Sequence, residues 1–533
     1  MIIYNYLRML GIIPERGDPV NIVSGNVVHR ETDMFIPCPG IDLAFRRTYN
    51  STSSETNSAM GARWMHWYQW SVATDSNNLQ VTTGEGRVLH MEEGTDNSGK
   101  LWKSALYNNW IIRQDANSNE YTLYLENELE ALFNTNNLLK SITDPWGNTV
   151  TLTYTNTNEI VSVEHSNGHK LEFEYTSNKV SKVTASVTNF YMTFAYNSKD
   201  ELTNATRYIS GDSFTTTYAY DSSTNYWNHS LTQRVNAAGD TYSWAYETNA
   251  SGQITSVCTN TVVGSNYFEN SMEYYGSNGY SVLTVTRNSG DQVYTNYFNT
   301  NSYFITQEVG PNSTNLVKTC SYNEGYWTIT NELVEDKSSG DYLETSREYD
   351  DLRRVASESV GYGATPSNEW TYTWDEDYDV ITLITDPMGR KTGFEYINGL
   401  VAKTKLHYDS SSNSYDTVFT YTTNGLLSST TNANGNWIKY YYDSYGFPTS
   451  TVPETGPTVN YQYSQLGHLT NMTLPGASGD RVTSFDVNQL GWVNSIIYPD
   501  NTSESFYYDA IGNLTNHVDT GGRTNIYTYL LPS

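Results

Sequence analysis

The chain has few charged residues, few cysteines and no long hydrophobic run. Only 17% of its 533 residues are charged, whereas an average soluble domain is about a quarter charged. No apolar run approaches the roughly 20 residues that a membrane-spanning helix needs. Ala, Leu, Glu and Lys, which fill exposed helices, are also scarce. These absences argue against a membrane span and against a large helical bundle.

The cysteines and the basic residues exclude two further classes of protein. Cys38, Cys258 and Cys320 lie far apart, with no CxxC pair and no nearby histidine, so neither a disulfide framework nor a zinc ribbon is expected. The 30 Lys and Arg residues are outnumbered by 58 Asp and Glu residues, which gives a net charge of -28. Because phosphate binding depends on clustered Lys and Arg, nucleic acid is not expected as a partner.

Aromatic residues and turn formers are abundant instead. The chain contains 46 Tyr, 15 Phe and 13 Trp, and Val, Ile and Thr recur along its whole length. A disordered chain lacks such residues, and β-branched and aromatic residues are typical of strands. The composition therefore predicts an ordered, all-β fold.

Internal repeats are visible in three short stretches. They read DPWGNTVTLTY (Asp144–Tyr154), DPMGRKTGFEY (Asp386–Tyr396) and NANGNWIKYYY (Asn432–Tyr442). Each is a glycine-centred turn followed by a strand that ends in tyrosine. About 17 such terminal aromatics, with a mean spacing of about 23 residues, mark the array: Tyr154, Tyr175, Tyr196, Tyr220, Tyr246, Tyr274, Tyr297, Tyr322, Tyr349, Tyr372, Tyr396, Tyr421, Tyr442, Tyr463, Phe485, Tyr508 and Tyr529.

Each unit carries two turn signals and is therefore predicted to contain two strands. Turn signals every 8 to 12 residues or so are typical of consecutive antiparallel hairpins. In the strand from Trp437 to Tyr442, alternate residues face opposite sides, and neither side is strongly apolar. One such hairpin cannot bury enough surface to stand alone, so each unit has to pair with the units before and after it.

Residues 1–140 differ from the array, and we predict a separate β-rich N-terminal domain there, with the repeat region at 141–533. Its segment from Asp18 to Asn50 is dense in turn residues and proline. The stretch from Glu126 to Lys140 is compatible with a helix and equally with a hairpin. Met1 to Ile13 lacks the basic region and the small-residue cleavage site of a signal peptide, so export would need another route or an upstream segment.

Several segments resemble the RHS and YD-repeat family. That family includes bacterial polymorphic-toxin shells, the cocoon subunits of insecticidal toxin complexes and the teneurins. The family's repeat signature YDxxGxLT is matched closely by YDAIGNLT (Tyr508–Thr515) and partly by YDSYG (Tyr442–Gly446), YDDLRRV (Tyr349–Val355) and YSQLGHLT (Tyr463–Thr470). The domain that commonly precedes the repeats is similar to four segments, Asp18–Asn21, Ser24–Asn26, Glu31–Asp33 and Arg46–Ser51.

The resemblance implies a ribbon of antiparallel hairpins that spirals into a hollow shell, with function in encapsulation and not in catalysis. It implies an enclosed polypeptide effector or a second chain that closes the shell, and a secreted or cell-surface location. Family members that carry toxins usually continue into a self-cleaving core segment and an effector. No DPxGL-type core sequence follows the last repeat at Tyr529, so self-cleavage is not expected. A split reading frame, a shell half and a surface repeat protein without cargo remain alternatives.

Three motifs suggest chemistry at first sight, and in each the sequence favours a plain turn. Gly94–Leu101 has the spacing GxxxxGK, but a leucine stands where a phosphate loop needs a hydroxyl, which favours a polar hairpin loop. His165 and His169 have zinc-helix spacing, yet Ser-Asn-Gly between them indicates a hairpin turn. The acidic run Asp375–Asp379 lacks the central glycine and closing glutamate of a calcium loop, which favours a solvated turn.

No catalytic, cofactor-binding or metal-ligating residue is therefore assigned, no cofactor is expected, and a non-enzymatic protein is predicted. Two other functions stay open. One is an adhesin-like, carbohydrate-binding protein of the cell surface, in which Tyr and Trp stack on sugars, with Trp64, Trp67 and Trp70 as reporters. The other is a β-solenoid polysaccharide hydrolase, which is suggested by architecture alone.

Overall fold

The structure is all-β in every part of the chain that it describes. The computed structural model describes residues 15–16, 20–21, 26–53, 55, 57–96, 99–104, 110–125, 128–187, 189–209, 211–221, 229–248, 254–263, 266–275, 279–286, 292–298, 305–310, 316–323, 328–363, 368–375, 379–407, 414–488, 490–509 and 512–528. These residues contain β-strands and turns and no α-helix. The predicted fold class is confirmed.

The first five strands form two small sheets. β1 (Glu15–Arg16) pairs with β2 (Val20–Asn21). A three-stranded antiparallel sheet consists of β3 (Val28–Ile36), β4 (Leu43–Asn50) and β5 (Trp64–His66). We call residues 26–70, which contain this second sheet, the N-terminal body.

All later strands belong to one antiparallel sheet, which we call the wall. Its first strands are β6 (Ser71–Asp75), β7 (Asn78–Thr82), β8 (Val88–Asp96), β9 (Gly99–Ser104), β10 (Ile111–Gln114), β11 (Tyr121–Tyr124), β12 (Glu130–Phe133), β13 (Leu139–Thr143), β14 (Thr149–Tyr154), β15 (Ile160–His165), β16 (Lys170–Thr176), β17 (Lys179–Ala185), β18 (Phe190–Tyr196), β19 (Leu202–Ile209), β20 (Asp212–Tyr220), β21 (Leu231–Val235), β22 (Thr241–Thr248), β23 (Ile254–Val263), β24 (Asn266–Tyr275), β25 (Tyr280–Thr286), β26 (Gln292–Phe298) and β27 (Ile305–Val309).

The wall continues with β28 (Leu316–Tyr322), β29 (Ile329–Asp336), β30 (Asp341–Tyr349), β31 (Val355–Tyr362), β32 (Asn368–Trp374), β33 (Ile381–Thr385), β34 (Lys391–Ile397), β35 (Leu400–His407), β36 (Tyr415–Tyr421), β37 (Leu427–Thr431), β38 (Trp437–Tyr442), β39 (Pro448–Pro453), β40 (Val459–Tyr463), β41 (Leu469–Leu474), β42 (Arg481–Val487), β43 (Val493–Ile497), β44 (Ser503–Tyr508), β45 (Leu514–Val518) and β46 (Thr524–Ile526). Each strand pairs with the next one along the chain, as the consecutive-hairpin interpretation predicts.

Near its start the wall also closes on itself. Ser71 in β6 bridges to Leu138, just before β13, and Val72 N–H donates to the Asn137 carbonyl at 2.9 Å. The pairing of β12 with β13 shows that the 126–140 stretch contains a hairpin strand, and the helical alternative is wrong. Pairing continues from β12 to β14 across residue 140, and the domain boundary at that residue stays a prediction.

The terminal tyrosine of a repeat unit lies at a β-bulge, where the pairing register shifts. Bulges lie at the predicted positions Tyr154, Tyr175, Tyr196, Tyr220, Tyr322, Tyr349, Tyr396, Tyr421, Tyr442, Tyr463 and Tyr508. The phenol hydroxyl donates back to a carbonyl of the preceding strand, as from Tyr442 to Leu427 at 2.7 Å and from Tyr508 to Val493 at 2.9 Å. A half-buried ring with a satisfied hydroxyl therefore marks the end of these units.

Some predicted positions differ from the structure. The bulge lies at Thr248, Phe298, Trp374 and Val487 in place of Tyr246, Tyr297, Tyr372 and Phe485. At Tyr274 the pairing passes without a register shift, and Tyr529 lies outside the described residues. These strands carry more than one aromatic residue or none at the bulge, so an aromatic marker alone selects the wrong position.

The residue after the bulge shapes the turn. Asp443 accepts the backbone N–H groups of Tyr445 and Phe447 on one carboxylate oxygen, both at 2.9 Å. Gly446 closes this turn at a φ of +92°, in the left-handed region that favours glycine. The side chain after the glycine then covers the next unit, because a Cβ added to Gly467 would lie 2.6 Å from the Phe447 ring.

The ribbon coils so that one turn of the coil stacks on the next. Asn148, between β13 and β14, donates its side-chain N–H to the carbonyl of Asn424, between β36 and β37, at 3.0 Å and 276 residues away. The His169 ring stacks on Tyr445 with centroids 4.5 Å apart, at the same separation along the chain. About 23 strands at about 4.8 Å each give a coil turn of roughly 110 Å, or about 35 Å across. We call this line of turn-to-turn contacts the seam.

The N-terminal body lies on the concave side of the wall. At one end Cys38 of the body bonds the Asn167 side chain beside β15. At the other end His29 of the body lies against Trp244 in β22. Eight strands span about 34 Å of wall, whereas a 45-residue body is only about 24 Å across. The wall can touch the body over that length only by curving around it.

Replacing two turn glycines by alanine separates conformational from packing effects. Gly435 has a φ of +87° and open space around it, whereas Gly467 has a φ of +80° and faces Phe447 at 2.6 Å. We expect Gly435→Ala to lower the free energy of unfolding by about 1 kcal/mol and Gly467→Ala by about 1–3 kcal/mol more. Urea titration followed by tyrosine and tryptophan fluorescence measures both. Equal losses would contradict the proposed contact between units.

Candidate functional site: the inner face of the wall

Residues that the sequence singled out for possible chemistry lie in ordinary turns. Within Gly94–Leu101, residues 94–96 of β8 pair with residues 99–101 of β9, with Asp96 opposite Gly99, as the hairpin interpretation predicts. Residues 97 and 98 lie outside the described part of the chain. His165 and His169 flank a hairpin turn in which Gly168 N–H donates to the His165 carbonyl at 2.9 Å. Among the described residues, no group of His, Cys, Asp and Glu side chains is arranged to hold a metal ion.

The acidic run Asp375–Asp379 is partly described, and both of its ends are hydrogen-bonded to Arg354. Arg354 donates to the Asp375 carbonyl at 2.8 Å and to the Asp379 carboxylate at 3.1 Å, while residues 376–378 lie outside the described part of the chain. Arg354 also bonds Asp350, the capping residue of its own turn, at 2.7 Å. The Asp350 and Asp379 carboxylates therefore neutralise Arg354.

The three tryptophans suggested as sugar platforms do not form one. Trp64 and Trp70 are buried, and the Trp64 indole N–H donates to the Tyr220 hydroxyl at 2.7 Å. Trp67 packs edge-on against Trp70 and lies under the Arg46 guanidinium. These rings build the N-terminal body, so Trp64 and Trp70 are not placed to stack on a sugar, and the carbohydrate-binding alternative stays a prediction.

One face of the wall is continuous from the N-terminal body to the last strands. Directly opposed residues of neighbouring strands share a face, and the series of partners that starts at Phe173 in β16 reaches His517 in β45 without a break. Phe173 and Phe194 on this face both contact Phe45 of the body, with ring centroids 5.7 Å apart. We call it the inner face.

The inner face is apolar and aromatic where the body does not cover it. From β29 to β46 no described side chain is buried. The apolar residues of the inner face in β30 to β44 include Leu343, Val360, Tyr362, Trp370, Tyr372, Ile384, Phe394, Leu406, Tyr415, Phe419, Ile438, Tyr440, Val459, Tyr461, Met472, Leu474, Phe485, Ile496 and Phe506. Tyr415, the most exposed of them, is 63% accessible.

Alternate residues of the same strands form a polar outer face. Glu395 in β34, Lys403 and Lys405 in β35 and Asp416 in β36 follow one another across the outer face and form ion pairs. The sequence prediction that neither face is strongly apolar is therefore only partly right, because the aromatic residues fall preferentially on the inner side. Sequence reasoning missed this division, although the alternation within strands such as Tyr415–Tyr421 is its signal.

Charged groups on the inner face are paired with one another. Arg347 donates to Glu358 at 2.7 Å, and Lys318 lies 2.9 Å from Glu332. His517 lies 2.9 Å from Glu504. Such pairs between neighbouring strands leave the apolar rings as the dominant feature of the uncovered inner face.

A buried ionic cluster joins the N-terminal body to the inner face. Arg47 in β4 is fully buried, bonds both carboxylate oxygens of Asp33, and donates to the Tyr218 hydroxyl in β20 at 3.2 Å. Its guanidinium lies 5.0 Å from the centre of the Trp64 ring. Burial acts to lower the pKa of Arg47, but the adjacent Asp33 carboxylate outweighs it and raises that pKa above its usual value.

A second pair extends this cluster. Arg234 in β21 donates to the Glu31 carboxylate at 2.6 Å, and His29 lies 2.9 Å from the same oxygen. Burial acts to raise the pKa of Glu31, but His29 and Arg234 outweigh it and hold that pKa well below its usual value. Charges that neutralise one another in this way make the cluster a structural joint. Sequence reasoning named Glu31 and Arg47 only as parts of matching segments.

Comparisons with known proteins leave the function open. A family model described as a domain of unknown function (DUF6531) matches residues 17–91. Among the curated proteins, none matches this chain. No described helix is long and apolar enough to cross a membrane.

Several of the solved structures that the chain is similar to are Tc toxin proteins. The crystal structure of TcdB2-TccC3-Cdc42 is 10% identical, with a TM-score of 0.40, over 97% of this chain and 32% of that chain. TcdB2-TccC3-TEV is 10% identical, with a TM-score of 0.38, over 98% and 36%. The Photorhabdus luminescens Tc holotoxin pore, with a substitution in TccC3, is 10% identical, with a TM-score of 0.34, over 90% and 31%. The chain thus spans about a third of the length of these proteins.

Removing one member of the buried pair should be more harmful than removing both. We expect Arg47→Met to lower the free energy of unfolding by about 3–5 kcal/mol, because Asp33 is left buried without its partner. The double variant Arg47→Met/Asp33→Leu should recover most of that loss. Arg113→Met, which breaks a more exposed pair with Asp96, is the control and should cost less than about 1 kcal/mol. Urea titration measures all three, and a double variant no more stable than Arg47→Met would refute the pairing argument.

Proposed function

We propose that this chain is a non-enzymatic wall of a container that encloses a polypeptide, of the toxin-encapsulating kind that its sequence resembles. The observation that carries the proposal is the uncovered inner face of β30 to β44, which is concave and lined with accessible aromatic and aliphatic side chains. Monomeric proteins rarely leave apolar patches larger than a few hundred Å² exposed unless the patch binds something.

An unfolded or partly folded polypeptide suits this surface. Folded proteins hide their apolar side chains, whereas an unfolded chain presents them along its whole length. Tyrosine offers a flat apolar ring with a hydroxyl that stays hydrated or bonded. A wall lined with Tyr415, Tyr440 and Tyr461 therefore accepts many sequences and specifies none, which fits a container.

The seam supports a second partner, a chain that continues the wall. Trp146 lies in a D-P-W-G-N hairpin turn in the first coil of the ribbon. Its indole N–H donates to the Asn398 carbonyl at 3.0 Å, and its ring lies against Gly425; both partners belong to the next coil. Met388 occupies the same place in the D-P-M-G-R turn and is 79% accessible. A chain with similar glycine turns would cover Met388 as the second coil turn covers Trp146.

The proposed location is extracellular or at the cell surface, and it rests on the sequence resemblance alone. No particular residue of the described structure favours a carbohydrate-binding role or a hydrolase. Both therefore rank below the container.

Binding of a permanently unfolded polypeptide tests the container. The probe is fluorescein-labelled, reduced and carboxymethylated α-lactalbumin, and fluorescence anisotropy measures its binding to the full chain. Leu406 and Tyr415 lie directly opposite each other on the inner face, and we expect Leu406→Asp/Tyr415→Asp to weaken binding by about tenfold or more, because each charge removes apolar surface.

A matched double variant on the outer face is the control. Tyr441 and Tyr507 are 51% and 54% accessible on the outer side, and Tyr441→Asp/Tyr507→Asp should leave binding unchanged. Circular dichroism confirms that both variants keep their strands. No binding by the unmodified chain, or equal loss in the two variants, would disprove the container.

A further inference from the structure

We propose that the joint between the N-terminal body and the wall is acid-labile on one side, where histidines that must stay neutral hold the body to β15 and β16. The opposite side of the body, which faces β19 to β22, resists acid. Mild acid would then release one side of the body while the wall stays intact. This inference does not depend on what the wall encloses.

Both ring nitrogens of His165 have hydrogen-bond partners. It is buried at the end of β15, its Nδ1 accepts the Asn167 backbone N–H at 3.0 Å, and its Nε2 lies 3.1 Å from the Pro39 carbonyl of the body. Only a ring with hydrogen on Nε2 and none on Nδ1 makes both bonds. A second proton would point at the Asn167 N–H and break the turn that receives Pro39.

His66 repeats this arrangement in the centre of the body. Its ring packs between Phe45 and Phe173 of β16, with centroids 5.5 and 5.7 Å away, and its Nδ1 accepts the Tyr68 backbone N–H at 3.3 Å. Burial lowers the pKa of His66 to about 3. Protonation therefore requires the ring to leave the contact between the body and β16.

His169 adds a third neutral ring beside His165. Its Nδ1 lies 3.1 Å from the Ser186 hydroxyl, its ring stacks on Tyr445, and its buried Nε2 has no partner. Burial lowers the pKa of His169, His165 lowers it further, and Asp443 across the seam opposes them.

The charged groups around these rings do not compensate protonation. Arg47, a permanent cation, lies directly opposite His66 on β4, although Asp33 neutralises it. The neighbouring Arg46 is also a cation, and its charge acts to lower the pKa of the Tyr68 hydroxyl. His165 and His169 face each other. The other titratable groups near them are Tyr445, Asp443 and Cys38, which bonds the Asn167 side chain between the two histidines. Asp443 is the acid that faces the pair.

The other side of the body contains histidines of the opposite kind. His29 lies 2.9 Å from Glu31, and His229 beside β21 lies 2.9 Å from the buried Glu201. At both places the partner of the ring nitrogen is a carboxylate oxygen, which accepts the hydrogen bond. Tyr49 of the body also donates to the His229 carbonyl at 3.0 Å, so this side keeps its contacts and acts as the hinge.

The direction of the pH dependence follows from the linkage between histidine protonation and opening of the joint. A histidine whose pKa is lowered in the closed joint takes up its proton only when the joint opens, so stability is present above the ordinary value of about 6.5 and is lost as the pH falls below it. The opening equilibrium then rises about tenfold per pH unit for each such histidine. Paired carboxylates such as Glu31 begin to matter only below their ordinary value of about 4.5. The interval between these two values therefore reports on histidine.

Hydrogen exchange of the full chain tests the proposal. Val180 N–H donates to the Ala59 carbonyl of the body, and Leu231 N–H donates to the Tyr49 hydroxyl. After correction for intrinsic rates, protection at Val180 should fall about 16-fold per neutral histidine between about pH 6.5 and about pH 5. Leu231 and the wall amide of Tyr440 should keep theirs. Protection that is independent of pH at Val180, or that falls equally at all three amides, would overturn the proposal.

Two substitutions assign the effect to the named rings. His66→Asn keeps a carbonyl that accepts the Tyr68 N–H and removes the titration, so it should reduce the pH dependence at Val180 by about 16-fold. His169→Asn removes the other histidine whose pKa is lowered and should change the pH dependence in the same direction. His90→Asn, on the exposed side of β8, is the matched control and should leave it unchanged. If either variant fails to fold, the other remains decisive, and full pH dependence in the folded variant would refute the assignment.

Discussion

Backbone pairing of each strand with the strands before and after it is the constraint on which the wall depends. From β29 to β46 no described side chain is buried, so burial contributes less there than in the body, and the hydrogen-bond ladder carries more of the stability. A slip by one residue would move every inner side chain to the outer face. The repeated bulge and its capped turn prevent that slip, because they fix the register once in most units.

The capping residue explains why the tyrosine spacing predicted most bulges and missed some. Trp374 is followed by Asp375, and Val487 by Asn488, which accepts the N–H groups of Leu490 and Trp492 at 3.0 Å. An Asx side chain that can bond the turn therefore marks the bulge even where no tyrosine stands before it. The aromatic residue satisfies its own hydroxyl, but the turn chemistry decides where the register shifts.

Long-range placement could not be read from the chain. The seam joins residues 276 positions apart, and no local pattern encodes the number of strands in a coil turn, which depends on small twists added over many pairs. The position of the body is hidden in the same way. Arg46 and Arg47 are adjacent and chemically identical, yet only Arg47 is buried, because β4 presents alternate residues to opposite sides and the sequence does not say which side meets the wall.

The second half of the wall and the joint between body and wall contain different kinds of charged groups, and they therefore respond differently to salt and pH. In the second half of the wall the ion pairs are accessible to water, so their contribution is small and screened by salt. The body meets the wall through buried ions and rings, Arg47, Glu31 and His66 among them, whose protonation states are fixed by burial and partners. Since backbone ladders do not titrate, a change of pH acts on the joint first. The protein thus combines a wall that keeps its pairing with a joint to the N-terminal body that responds to pH.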